Sequence, residues 1–131
     1  MIGMLARNND MKKIYVSSRI EGDSPNHIEK AKYYTRFIAK ECGAIPIAPH
    51  IYFTQFLDNT VKEERAFCIL AGLMLLSDCD ELWYFGDSVS QGMVSEIIAA
   101  KEQNIPVRYI SDSEIEKIKI ENGGNQNEME Q

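Results

Sequence analysis

Four short β-branched or aromatic runs punctuate this chain: KKIYVSS (12–18), AIPIAP (44–49), ELWYF (81–85) and IPVRYI (105–110). Between them lie stretches with helical spacing of apolar residues. No other feature narrows the fold so far. Strands separated by a helix cannot close as hairpins, so they pair in parallel through right-handed crossovers that place helices on both faces. ELWYF is apolar almost throughout, as suits a strand covered on both sides. Prolines bracket AIPIAP and keep it short. The predicted class is therefore α/β, a three-layer sandwich around a central parallel sheet of four to five strands. A chain of 131 residues, 44% hydrophobic and 26% charged, matches one globular core of ordinary composition.

The helical stretches carry their own start and stop signals. Ser24 and Pro25 fit an N-cap and first helical position, and Ile28, Ala31, Tyr34, Phe37 and Ile38 form one stripe that ends near Gly43. HIYFTQFLDN (50–59) reads as an aromatic-rich loop, in which Tyr52, Phe53 and Phe56 either stack on a ligand or cover the core. Thr60 with Glu63 predicts a capping box opening a helix to about Ser77. Within it, AFCILAGLMLL (66–76) is far short of the ~20 residues of a membrane span, and so predicts a buried helix. A helix over 90–103 packs Val94, Ile97 and Ile98 and stops at Asn104. SDSEIEKIKI suggests a short last helix. Residues 1–11 read as a flexible leader, because Met11 before Lys-Lys resembles a second start, and 12–120 as the domain. ENGGNQNEMEQ (121–131) is polar and aperiodic, the composition of a disordered tail.

Charge and cysteine usage exclude several functions. Twenty acidic against fourteen basic side chains give a net charge of −6, which supplies no field for a nucleic acid polymer or an anionic membrane. A small anion can still bind, since the free N–H groups of a helix start do not depend on net charge. Cys42, Cys68 and Cys79 are odd in number and lack CxxC spacing, and histidines are two. That pattern fits neither a disulfide framework nor a metal site, so the thiols read as reduced and the chain as cytoplasmic, with no metal or cofactor.

In parallel α/β sheets, ligands sit beyond the carboxyl ends of the strands, where strand order reverses. Three loops meet there: SSRIEGD, APHIYF and FGDSVSQG. In the third, Ser90 is placed to cap a helix, and Gly92 removes a side chain where an anion would approach the backbone. Glu96 lies one turn beyond Gly92 on the same face, beside any anion held by the turn. The plainer alternative is a serine that only caps and a glutamate that only meets solvent. Arg19 is the one cation of the first loop and either pairs with a phosphate or is solvated. Tyr15 is a core aromatic or a site residue. Asp87 contacts a ribose hydroxyl or forms an Asx-turn.

SQGMVSE (90–96), after the strand opened by Asp80, resembles the S-x-G-x-x-x-E signature of the nucleoside 2-deoxyribosyltransferase superfamily. Its 2'-deoxynucleoside 5'-phosphate N-hydrolase branch looks closer. IPIAPH, EER, CDELW-x-FG and S-x-GM-x-x-EI resemble an uncharacterised bacterial and phage-borne subfamily. The likeness covers residues 12–110 and implies a flavodoxin-like fold and cleavage or transfer at an N-glycosidic bond. It implies Glu96 as the nucleophile on the anomeric carbon, with a covalent glycosyl-enzyme resolved by water or a second base. It further implies Ser90 on a 5'-phosphate; Tyr15, Ser18 and Gly22 along sugar and phosphate; His50 at base or phosphate; and a homodimer or higher homo-oligomer. One position departs from the pattern. Gly72 stands where the hydrolase branch carries an aspartate, with Glu64, Arg65 and Asp78 as nearby replacements to consider. That departure motivates an alternative, a protein that binds or sequesters a nucleotide in the same pocket without turning it over.

Overall fold

A computed structural model describes residues 11–19 and 25–130. Along the chain these form β1 (Lys13–Ser17), α1 (Pro25–Glu41), β2 (Ile45–Ile47), α2 (Pro49–Phe53), α3 (Lys62–Leu76), β3 (Glu81–Phe85), α4 (Gln91–Glu102), β4 (Val107–Ile110) and α5 (Asp112–Glu130). The strands pair in the order β2-β1-β3-β4, all parallel. Tyr15 lies opposite Ile47 on one side and Leu82 on the other. The parallel α/β sandwich expected from the strand spacing is thus the fold. Because β2 and β3 leave β1 on opposite sides, strand order reverses between β1 and β3.

The alternation of side chains along each strand splits the core in two. Ile14 and Val16 join Trp83, Phe85 and Ile110 against Tyr34, Phe37 and Ile38 of α1 and Ile115 of α5. Tyr34 stacks on Phe85 with ring centroids 4.5 Å apart. The opposite face is smaller: Tyr15 and Leu82 meet Leu76 of α3, Cys79 and Ala100 of α4. Gly43 and Asn104 end their helices in the left-handed region, with φ of 62° and 60°, as their positions after α1 and α4 predicted.

Several local expectations need correction. α3 opens at Lys62 with Val61 as an uncapped N-cap, so Thr60 and Glu63 form no capping box. The Thr60 N–H and hydroxyl both donate to Asp58 Oδ1, at 2.9 and 2.6 Å. This local turn competes with the cap. The aromatic loop contains a short helix, α2, with Pro49 at its start, where the ring pre-sets φ. α3 is not a buried helix: Phe67, Ile69, Leu70 and Met74 are all more than half exposed. A helix lying on a sheet buries one stripe, and this one is apolar around most of its circumference. Phe56 is likewise exposed rather than covering the core, while Phe53 is buried. α5 runs well beyond the short helix expected, and Asn122 Nδ2 donates to the Glu41 carbonyl at 3.2 Å and to its Oε1 at 3.0 Å, tying α5 to the end of α1. Residues 1–10 of the expected leader, Ser24 and Gly22 lie outside the described residues. No helix among the described residues is long and apolar enough to cross a membrane.

Leu82 is fully buried, and Leu82→Ala is expected to cost about 2–5 kcal/mol in urea denaturation. Burial pushes the Cys79 thiol up from 9.0 to about 11, with Asp80's charge adding to it. Its proton is then held more tightly folded than unfolded, so the contribution is complete below pH 9 and lost as pH rises to about 11. The urea midpoint should fall across that window, and fall less in Cys79→Ala.

Candidate functional site

Ser90 is the N-cap of α4: its Oγ accepts from the Met93 N–H at 3.3 Å, and its own N–H donates to Met93 Sδ at 3.5 Å. This reciprocal cap fixes where the helix begins and so where its second turn carries Glu96. Glu96 is only 8% exposed. A carboxylate so buried is costly unless hydrogen-bonded, and here three groups donate to it. Tyr15 Oη, at 2.5 Å, and His50 Nε2, at 2.8 Å, both reach Oε2. Ser17 Oγ reaches Oε1 at 2.7 Å. Since a carboxylate only accepts, Nε2 of His50 carries the proton in this arrangement. Burial, reinforced by the charge of Glu96, holds the Tyr15 hydroxyl far above its ordinary value. Tyr15 is therefore a permanent donor. The rings of Tyr15 and His50 meet edge to face, with centroids 6.5 Å apart.

Glu96 faces a cavity of about 150 Å³ between the start of α4 and one side of α3. Tyr15, Ser18, His50, Ser90 and Gly92 line it with Glu96, so six of the predicted site residues share one space. The Ser18 hydroxyl is buried and has no hydrogen-bond partner among the described residues. Ser90 uses a lone pair of Oγ in the cap, which leaves its O–H able to donate. Arg19 and Asp87 are not beside Glu96; they line a neighbouring cavity reached across Ser18. Tyr52, too, does not line the Glu96 cavity and is 63% exposed.

Gly72 lines the same cavity, and a Cβ there would stand 3.3 Å from Tyr15 Oη and 3.9 Å from Pro49 Cβ. The space of the missing aspartate is thus shared with the tyrosine hydroxyl. None of the nearby acids replaces it: Glu64 Oε1 accepts from the Asp58 N–H at 2.8 Å, and Asp78 is not on the cavity wall. Arg65 is on that wall, and Glu96 is its only carboxylate among the described residues. Sequence reasoning missed Ser17. The signal was available, since Ser17 is two residues from Tyr15 on the same face of β1 and must share its neighbours.

A parallel sheet in the order β2-β1-β3-β4, with a buried carboxylate at the reversal of strand order, defines an α/β protein whose candidate site lies at the switch point of the sheet. More narrowly, the chain belongs to the family described as Domain of unknown function (DUF7768), whose model matches residues 12–110. No curated protein matches it. Among solved structures, it resembles the 2-deoxyribosyltransferase of Bacillus psychrosaccharolyticus at 20% identity and a TM-score of 0.58, covering 76% of this chain and 72% of that one. The likeness places the chain in the same fold. The flavoenzyme NAD(P)H:acceptor oxidoreductase FerB of Paracoccus denitrificans aligns over 76% of this chain and 60% of its own, at 18% identity and a TM-score of 0.42, too distant to carry an argument.

Removing one donor leaves the buried carboxylate short of a partner, so Tyr15→Phe should cost about 1–3 kcal/mol. Ser17→Ala should cost a similar amount. Tyr15→Phe combined with Glu96→Gln should cost less than the sum of the two single changes, as urea denaturation of the four proteins would measure.

Proposed function

We propose that this protein cleaves or transfers at the N-glycosidic bond of a (deoxy)nucleoside 5'-phosphate or related nucleotide, with Glu96 as nucleophile. The observation that carries the reading is the buried Glu96 carboxylate, held by Tyr15, Ser17 and His50 one turn beyond the open start of α4. A phosphate on the first-turn N–H groups, with Ser90 and Gly92, would set the pentose against Glu96. Glu96 then bonds to the anomeric carbon as the bond to the base nitrogen breaks. The leaving electron pair stays on that nitrogen, which takes a proton from His50 Nε2. Water next attacks the same carbon, returns its proton to His50 and frees the carboxylate; a second base in place of water gives transfer. Tyr15 and Ser17 are positioning residues that aim the carboxylate. The resemblance of SQGMVSE (90–96) to the deoxyribosyltransferase signature and the shared fold support the same chemistry.

The alternative reading, nucleotide binding without turnover, is favoured by one observation: among the described residues the cavity offers a single carboxylate, with glycine at position 72. Incubation with a panel of ribo- and deoxynucleoside monophosphates, followed by chromatography of free base, decides between them. Base release by the native protein that falls by at least about a thousandfold in Glu96→Gln is expected. Binding without product in calorimetry selects the alternative. Equal release by Glu96→Gln removes the nucleophile assignment.

The same proposal includes a homodimer or higher homo-oligomer. Phe67, Leu70 and Met74 present an apolar face of α3 to solvent, more than a monomer gains by exposing. Sedimentation should show self-association that Leu70→Glu abolishes without loss of fold.

A further inference from the structure

Across Ser18 from the Glu96 pocket lies a second cavity, of about 200 Å³, lined by Arg19, His27, Lys30, Asp87 and Ser88. His27 and Lys30 sit one turn apart on α1 and so share a face. Lys30 makes no ion pair among the described residues. Arg19 is held toward the cavity by Ser88 Oγ, at 3.3 Å from Nη1. Gly86 turns the chain at a φ of 98° to present Asp87 and Ser88, and its carbonyl accepts from Tyr109 Oη at 2.9 Å. Between the two cavities stands Ser18, which lines both and whose buried hydroxyl has no partner among the described residues. Buried hydroxyls are rarely left unmatched in a finished site. A ligand passing from one cavity to the other would supply the missing bond.

We infer that this second cavity is an anion subsite, and that the ligand carries a diphosphate, as in a nucleoside 5'-diphosphate or a diphosphate-linked dinucleotide. The inference rests on the reading of the Glu96 pocket as the pentose site. Each space has cations of its own, Arg65 in the first and Arg19 and Lys30 in the second, so each is equipped for a phosphate. Charge-assisted bonds from guanidinium and ammonium groups suit phosphate oxygens. Asp87 opposes an anion set against it and suits a ligand hydroxyl, so the two cations fix where the outer phosphate goes.

The test is calorimetry with matched mono- and diphosphates of the common ribo- and deoxynucleosides, and with NAD, on the native protein, Lys30→Ala and Ser18→Ala. At least one diphosphate compound should bind about tenfold more tightly than its monophosphate. Lys30→Ala should erase that preference and leave monophosphate affinity within about twofold, and Ser18→Ala should weaken the diphosphate by severalfold. Preference for the nucleoside diphosphate or for NAD identifies which compound supplies the diphosphate. Equal affinity for mono- and diphosphates, no binding of any diphosphate, or indifference to Lys30→Ala overturns the inference. Base release assays on the same compounds separate the two claims. Release from monophosphates with no diphosphate preference defeats this inference alone, whereas Lys30-dependent binding without any release defeats the catalytic reading alone.

Discussion

The buried carboxylate of Glu96 is the constraint that the rest of the molecule must meet. Its three donors come from two different elements, β1 for Tyr15 and Ser17 and α2 for His50, while Glu96 itself rides on α4. Each donor is far from Glu96 in sequence, so none can form its bond until the sheet has set β1 beside β3 and α4 has returned over them. A slip of one residue in β1 would point Tyr15 and Ser17 at the opposite face and leave the carboxylate without two of its partners. The register of the sheet and the site are therefore specified together.

This arrangement also explains why the two faces of the sheet differ. On the α1 and α5 side, β1 contributes Ile14 and Val16 to a continuous aromatic and aliphatic cluster. On the α3 and α4 side, it contributes Tyr15 and Ser17, and much of the volume that could hold apolar packing is occupied by a polar network and a cavity. The first face does most of the stabilising, since burial of apolar surface is the dominant favourable term in folding. The second gives up packing for a preorganised carboxylate. Sites commonly carry such a cost in stability.

The sheet was legible in the sequence because its signal is local: β-branched runs bounded by turn residues, alternating with helical spacing. So was the Ser90 cap, which depends on residues 90–93 alone, and the face-sharing of Gly92 and Glu96. What the sequence could not convey was competition and distance. Thr60 satisfies the spacing of a capping box, yet Asp58 two residues away takes both of its donors. The run 66–76 is apolar enough to be buried, but composition does not say how much neighbouring surface exists to cover it. Arg19 and Ser18 are adjacent, and Ser90 follows Asp87 closely, yet the fold sends Arg19 and Asp87 to one cavity and Ser90 to another. Only the three-dimensional course of both loops decides that division.

Gly72 ties the geometry to the chemistry. An aspartate there would have to grow from a Cβ only 3.3 Å from Tyr15 Oη, and its carboxylate would compete with Glu96 for the same hydroxyl. Two carboxylates drawn to one hydroxyl would repel each other when both are ionised. With glycine, Tyr15 is committed to Glu96 alone, and burial keeps its proton in place. The tyrosine is then unsuited to shuttle protons, and no second carboxylate shares the wall among the described residues. His50, whose Nε2 lies on the same carboxylate oxygen, is left as the one ring nitrogen on that wall in contact with Glu96 among the described residues. A glycosyl transfer built on this frame would accordingly pair one carboxylate with one imidazole, rather than two carboxylates with each other.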